Sequence, residues 1–278
     1  MQCNLGMVVG IMAANRWSTS KWLVILAVFG LVGCSTVPLP KGELANELKT
    51  EEDFKKAEAF FYGKNRSVDI SAAKYWYRNA AEHGHVEAQF SLGVICSTPQ
   101  SVDTDFKEAA YWFYKAAQQG HAAAQSNLGY FYAFGFGVPE DEEKAVFWLK
   151  KSAEQGFMNG TYNLGVMYDL GIGVEENPNT AAKLFTVAAE NGVIKAQVDL
   201  GVFYATGRGV EQDYSKAVFW YRQAALKGDN QAIYHLGQAY LDGLGVNKNT
   251  MRGQKLVNYA SDMMPYSSNQ LFALVSPK

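Results

Sequence analysis

Residues 121–156 read HAAAQSNLGYFYAFGFGVPEDEEKAVFWLKKSAEQG, and residues 157–192 repeat their grammar as FMNGTYNLGVMYDLGIGVEENPNTAAKLFTVAAENG. The spacing is 36 and it does not slip. Gly84, Gly120, Gly156, Gly192 and Gly228 keep it, as do Leu92-Gly93, Leu128-Gly129, Leu164-Gly165, Leu200-Gly201 and Leu236-Gly237. A fixed period between about 20 and 50 residues marks a solenoid of stacked units, each too small to bury its own apolar face.

Each unit divides into two helices and a turn. His121 to about Phe134 forms a first helix, A, with Ala124, Leu128 and Tyr132 on one stripe at i, i+4, i+8. Gly135-Phe136-Gly137-Val138 is the turn, recurring as Gly171-Ile172-Gly173-Val174, Gly207-Arg208-Gly209-Val210 and Gly243-Leu244-Gly245-Val246. Paired glycines permit the positive φ of a tight reversal, and the valine pins the loop to the core. A second helix, B, begins near Asp141 or Glu142, where an acid complements a helix N-terminus, and ends at Gly156. Alanine or glycine holds two columns, at 73, 109, 145, 181, 217 and at 88, 124, 160, 196, 232, where neighbouring helix axes must approach. Trp76, Trp112, Trp148, Leu184 and Trp220 share a column expected to lie in the core.

The pattern predicts a solenoid over 47–262, opening with a modified cap unit at 47–83 and followed by about five repeats. Ser97-Thr98-Pro99-Gln100-Ser101-Val102 replaces the glycine turn in the first full unit, so that reversal is built differently. Residues 263–278 break the period and read as a closing cap, with Leu271, Phe272 and Leu274 covering the last face.

The first fifty residues are of another kind. Residues 1–33 carry Arg16 and Lys21 but no acid, then run apolar from Trp22 to Val32 and end in small residues. That is the order of a secretory signal, its apolar stretch short of the roughly 20 residues of a membrane span. Met12 offers an alternative start of more usual signal length. Residues 34–46, with Pro38, Pro40 and Gly42, lack helical periodicity and read as a flexible tether.

Composition excludes several function classes. The net charge of −2 and pI near 6.1 give no basic surface for nucleic acid. Without residues 1–33 the balance is 23 Lys+Arg to 27 Asp+Glu, mildly acidic. Beyond Cys3 and Cys34 the one cysteine is Cys96, which leaves no internal disulfide and sits in a column otherwise held by tyrosine. His85 and His121 lie one period apart and are repeat residues before they are ligands; no HExxH, GxSxG or cysteine cluster accompanies them. No catalytic residue, cofactor or metal is expected.

Two resemblances add to this. The stretch Leu31-Val32-Gly33-Cys34 resembles the bacterial lipobox, which implies lipidation of Cys34, a lipid link to the membrane and a periplasmic location; Ser35 after it implies the outer membrane. The consensus A-x-x-x-L-G-x-x-Y-x-x-G-x-G-V, then A-x-x-W and A-A-x-x-G, is similar to the Sel1-like repeat, a relative of the tetratricopeptide repeat. This implies an all-α, right-handed α/α solenoid of antiparallel helix pairs whose concave groove is lined by the A helices. It also implies an adaptor or regulator of protein complexes. One branch of the family, with paired cysteines in every repeat, is linked to β-lactams; those cysteines are missing here.

By the tetratricopeptide pattern, the residue before each Leu-Gly faces the groove: Ser91, Asn127, Asn163, Asp199 and His235. Asn127 and Asn163 either grip a partner's backbone or carboxylate, or bond only a neighbouring helix or turn. Tyr130, Phe134, Tyr162, Asp169, Lys195 and Tyr234 are further groove candidates, tyrosine being a rigid anchor of large area. The expected function is a non-catalytic, lipid-anchored periplasmic adaptor for a protein or peptide partner. The alternatives are an immunity protein against a secreted, phospholipase-type effector and, behind it, a β-lactam or peptidoglycan hydrolase.

Overall fold

The computed structural model describes residues 41–65, 67–98, 104–262, 271 and 274–276. The expected signal, the expected lipidation site Cys34, residues 35–40 of the expected tether and most of the expected closing cap lie outside them. The described residues form twelve long α-helices and no strand: α1 Lys41–Phe61, α2 Ile70–Glu82, α3 Val86–Ser97, α4 Phe106–Gln118, α5 Ala122–Phe134, α6 Glu142–Glu154, α7 Met158–Leu170, α8 Pro178–Glu190, α9 Ile194–Thr206, α10 Tyr214–Ala225, α11 Asn230–Asp242 and α12 Thr250–Asp262. Among the described residues no helix is long and apolar enough to cross a membrane. The fold is an all-α solenoid, in which the odd-numbered helices from α3 are the A helices and the even-numbered are the B helices. Contacts divide the chain into two compact units, Met1–Ala116 and Ala117–Lys278.

Capping fixes the period locally. Asp69, Asp105, Asp141, Asn177, Asp213 and Asn249 stand 36 residues apart, and each side chain accepts the backbone N–H three residues on, at 2.9–3.0 Å. The same residues donate their own N–H back to helix A, as in Asp141 to Tyr132 O and Asn177 to Tyr168 O, closing each hairpin. Asp105 makes this bond to Cys96 O at 2.9 Å, so the reversal that lacks the glycine turn closes at the same length. His85 and His121 cap α3 and α5, each ring Nδ1 accepting a backbone N–H.

Two glycine columns exist for what lies beside them. A Cβ on Gly165 would stand 2.7 Å from the ring of Phe185, and one on Gly201 2.5 Å from the ring of Tyr221. Helix A therefore lacks a side chain where the largest residue of helix B presses on it. The second turn glycine serves the stacking of units. A Cβ on Gly173, Gly209 or Gly245 would come well within 3 Å of the backbone at Glu142, Pro178 or Tyr214, the first residue of the preceding helix B. Gly160 and Ser152 are a compensating pair. Ser152 replaces the alanine of its column, donates to Ala122 O at 2.7 Å, and leaves no room for a Cβ at 160.

The core column is not the tryptophans. Trp112 is buried, but Trp76, Trp148, Leu184 and Trp220 are only half-buried. The fully enclosed column is one residue later: Tyr77, Phe113, Leu149, Phe185 and Tyr221. A period counted in whole residues cannot separate two adjacent positions about 100° apart on a helix, both of them large and apolar. Each indole instead lies edge-on to an exposed aromatic before it, as in Phe147–Trp148 at 5.0 Å and Phe219–Trp220 at 4.9 Å.

The N-terminal end also differs from expectation. Residues 41–46, read as part of the tether, are the first turns of α1. Gly42 alone does not break the helix, because Glu43, Leu44 and Ala45 are good helix formers, and a proline just before them is a start signal as much as a linker residue. At the other end Leu271 and Leu274 pack against the core of α10–α12, and Val275 is fully enclosed. Arg222 donates to Val275 O at 3.0 Å, while Arg252 donates to Leu274 O at 2.7 Å and to Ser276 O.

Candidate functional site

The A helices α5, α7, α9 and α11 of the second unit lie side by side and bring most of the expected groove residues together. Tyr162 of α7 donates from Oη to Asp199 Oδ2 of α9 at 2.9 Å. Its ring is buried against Phe185, centroids 5.6 Å apart, so α8 fixes the hydroxyl from behind. Burial pushes the half-buried Asp199 carboxyl up to about 6; the Tyr162 hydrogen bond opposes this, Asp169 adds to it, and Lys195 opposes it. Burial and Asp199 together push the Tyr162 phenol well above its ordinary range. Lys195, one turn before Asp199, is lowered by desolvation against the pull of Asp199 and Asp229.

A raised carboxyl is a stability statement. Between the unfolded value near 4 and the folded value near 6 the folded chain holds the extra proton, so this group's contribution is full below pH 4 and is lost as pH rises through 6. Asp199→Asn keeps an acceptor for Tyr162 and removes the charge. It is expected to raise stability at pH 8 by about 2 kcal/mol and to leave it unchanged at pH 4, measured by urea unfolding at both.

His235 of α11 stacks on Tyr221 of α10, centroids 4.9 Å apart and planes 20° apart, and Tyr234 meets its edge at 5.8 Å. Burial lowers the His235 pKa, with Asp229 opposing, which favours a neutral ring. Burial and then Asp199 push the Tyr221 phenol up to about 12, which ties this aromatic group to the Tyr162–Asp199 pair.

The two asparagines part company. Asn163 donates from Nδ2 to Ser126 Oγ of α5 at 3.2 Å, so one of its groups links adjacent helices. Asn127 is half-buried and its amide makes no hydrogen bond among the described residues. Tyr130 and Phe134 stand beyond it, rings 4.7 Å apart, and Phe136 of the turn stacks on Tyr130 at 5.8 Å. Asp169 is already engaged: Arg208 donates Nε to its carboxylate at 2.6 Å, and Nη2 to its carbonyl and to Glu176, each at 2.8 Å. Sequence reasoning missed Arg208 and Tyr221. The first is marked as the one charged residue among Phe136, Ile172, Arg208 and Leu244; the second was hidden beside the tryptophan column.

This surface offers an uncommitted amide, a carboxylate, a neutral imidazole and tyrosine rings, the groups that recognise polypeptide. No three His, Cys, Asp or Glu side chains among the described residues could hold a metal ion. Cys96 in the first unit is enclosed, and burial pushes its thiol up to about 12, away from the reactive thiolate. Its neighbour Glu108 is held below the usual carboxylate range because hydrogen bonds from Arg78, Trp112 and Cys96 outweigh burial.

The Sel1 repeat pattern matches residues 57–85, 86–121, 122–157, 159–193, 194–229 and 230–263. The chain is similar to the protective antigen c5321 of uropathogenic Escherichia coli, which displays an SLR fold: 31% identity, TM-score 0.70, over 80% of this chain and 48% of that one. It thus spans about half the length of that protein. A Sel1 repeat protein from Oxalobacter formigenes is 30% identical with TM-score 0.71, over 78% of this chain and 87% of that one. The immunity protein Pa5087 of Pseudomonas aeruginosa, at 18% identity and TM-score 0.50 over 82% of each chain, shares the fold. No curated protein matches. With six matched repeats covering most of its length, on the period and hairpins described above, the chain belongs to the Sel1 repeat family.

Proposed function

We propose that this protein is a non-catalytic adaptor that holds a protein or peptide partner on the A-helix face of residues 117–262. In this reading it is carried on the periplasmic side of the outer membrane by a lipid on Cys34. One observation supports the recognition role above the rest: Tyr162 and Asp199 join two A helices through their side chains, Tyr234 and His235 meet on a third, and Asn127 on a fourth makes no hydrogen bond among the described residues. Among the framework polar groups, the buried Gln89 and Gln125 are tied down, each donating to a carbonyl of the preceding helix B.

The test is affinity purification of the full chain with mass spectrometry of what it retains. Asn127→Ala with Tyr130→Ala is expected to abolish capture with an unchanged circular dichroism spectrum. Undiminished capture would remove this face from the account. An immunity role would use the same face for an effector; the likeness to Pa5087 is one of fold and does not choose between the two. Loss of the protein leaving cells no more sensitive to a co-encoded effector would end that alternative.

A further inference from the structure

Resting on the proposed adaptor role, we propose that the partner presents a basic segment, an apolar side chain flanked by lysine or arginine, to the turn edge formed by residues 134–143 and 169–176. Phe134 and Leu170 close helices α5 and α7, yet they are 40% and 58% exposed. Phe136, half-buried beside Phe134 at 6.5 Å and stacked on Tyr130, and Ile172, half-buried against the core beneath, occupy the two turns next to them. The turns are neighbours: Gly173 N donates to Glu142 Oε2 at 3.0 Å, seating the second turn on the start of α6.

Charge selects the occupant. Residues 135–143 and 169–176 hold seven acids, Glu140, Asp141, Glu142, Glu143, Asp169, Glu175 and Glu176, and no lysine or arginine. Two cations reach in from outside. Lys144 pairs with Asp141 at 2.6 Å, and Arg208 pairs with Asp169 and Glu176. Glu140, Glu143 and Glu175 are exposed and make no ion pair among the described residues. An anionic bilayer would be repelled by such a rim, and a second copy meeting it about a two-fold axis would set acid against acid. A polypeptide with a positive rim around one apolar anchor satisfies both the strip and its border.

The experiment is selection of random 12-residue peptides displayed on phage against the full chain, then titration of the enriched peptides. We expect enriched sequences with net positive charge around an aromatic or aliphatic residue. Phe134→Ser with Leu170→Ser should weaken their binding at least tenfold, and so should raising salt from 0.1 to 0.5 M. Glu140→Lys with Glu175→Lys, both on exposed side chains, should do the same without touching the apolar strip.

Enriched peptides lacking positive charge, or indifferent to both pairs of substitutions, would overturn the inference. If such peptides are weakened instead by Asn127→Ala with Tyr234→Ala, which leave the edge untouched, the adaptor reading stands without this edge; if nothing on the face affects them, both fall. Two further results would overturn it: sedimentation with phosphatidylglycerol vesicles that the apolar substitutions abolish, and a concentration-dependent dimer that they dissociate.

Discussion

Gly209→Ala is expected to destabilise the chain by about 3 kcal/mol or more, whereas Gly228→Ala should cost only about 1–2 kcal/mol. Both glycines have positive φ, +66° and +83°, so each alanine carries the same left-handed penalty of about 1–2 kcal/mol. They differ in surroundings. Nothing lies within 4 Å of a Cβ at 228, while one at 209 would strike Pro178 O, Pro178 C and Asn179 N. Backbone cannot rotate aside, so the overpacking adds about 1–3 kcal/mol and pushes two repeats apart. Urea unfolding of the two variants reads the difference. Equal losses would mean that the second turn glycine serves conformation alone and not the stacking of units.

Phe185→Ala should cost about 3–5 kcal/mol, the range for emptying a fully enclosed aromatic position. Its ring touches three things at once: Tyr162 at 5.6 Å, Phe203 edge-on at 5.2 Å, and the bare Cα of Gly165. The loss should therefore reach the recognition face. With no ring behind it, Tyr162 no longer holds its hydroxyl on Asp199, and the carboxyl loses the one hydrogen bond that restrains its rise. Unfolding measured beside Leu184→Ala, in the half-buried column, separates the positions. A larger loss at Leu184 would reverse the assignment of the core.

The scaffold was legible because it is written six times. The Leu-Gly pair recurs in five units and the Gly-x-Gly turn in four, each reporting a local need that the structure satisfies at the same positions. Errors fell where the period is silent about angle or where it stops. It could not tell Trp148 from Leu149, neighbours on one helix, and it gave no register for residues 41–46, which are helical. It also missed Val275, enclosed in the core of α10–α12 on a segment that Arg222 and Arg252 hold by its carbonyls.

The proposed recognition face was legible as a column and not as a set of roles. Asn127 and Asn163 are equivalent in sequence, yet the serine at 126 takes a hydrogen bond from one, while the other remains unbonded among the described residues. Asp169 looked available until Arg208, 39 residues away, was found to occupy it. Such pairings join side chains of adjacent repeats where each repeat varies, so a single period cannot encode them.

In the proposed function, recognition belongs to the A helices of residues 117–262. Site-specific photo-crosslinking in living cells tests it most directly, with benzoylphenylalanine placed in turn at 127, 130, 195 and 234 on the A helices and at 147, 183 and 219 on the B helices. We predict covalent adducts to one partner from the first set and none from the second. Adducts from the B-helix positions, with none from the A-helix positions, would contradict the account.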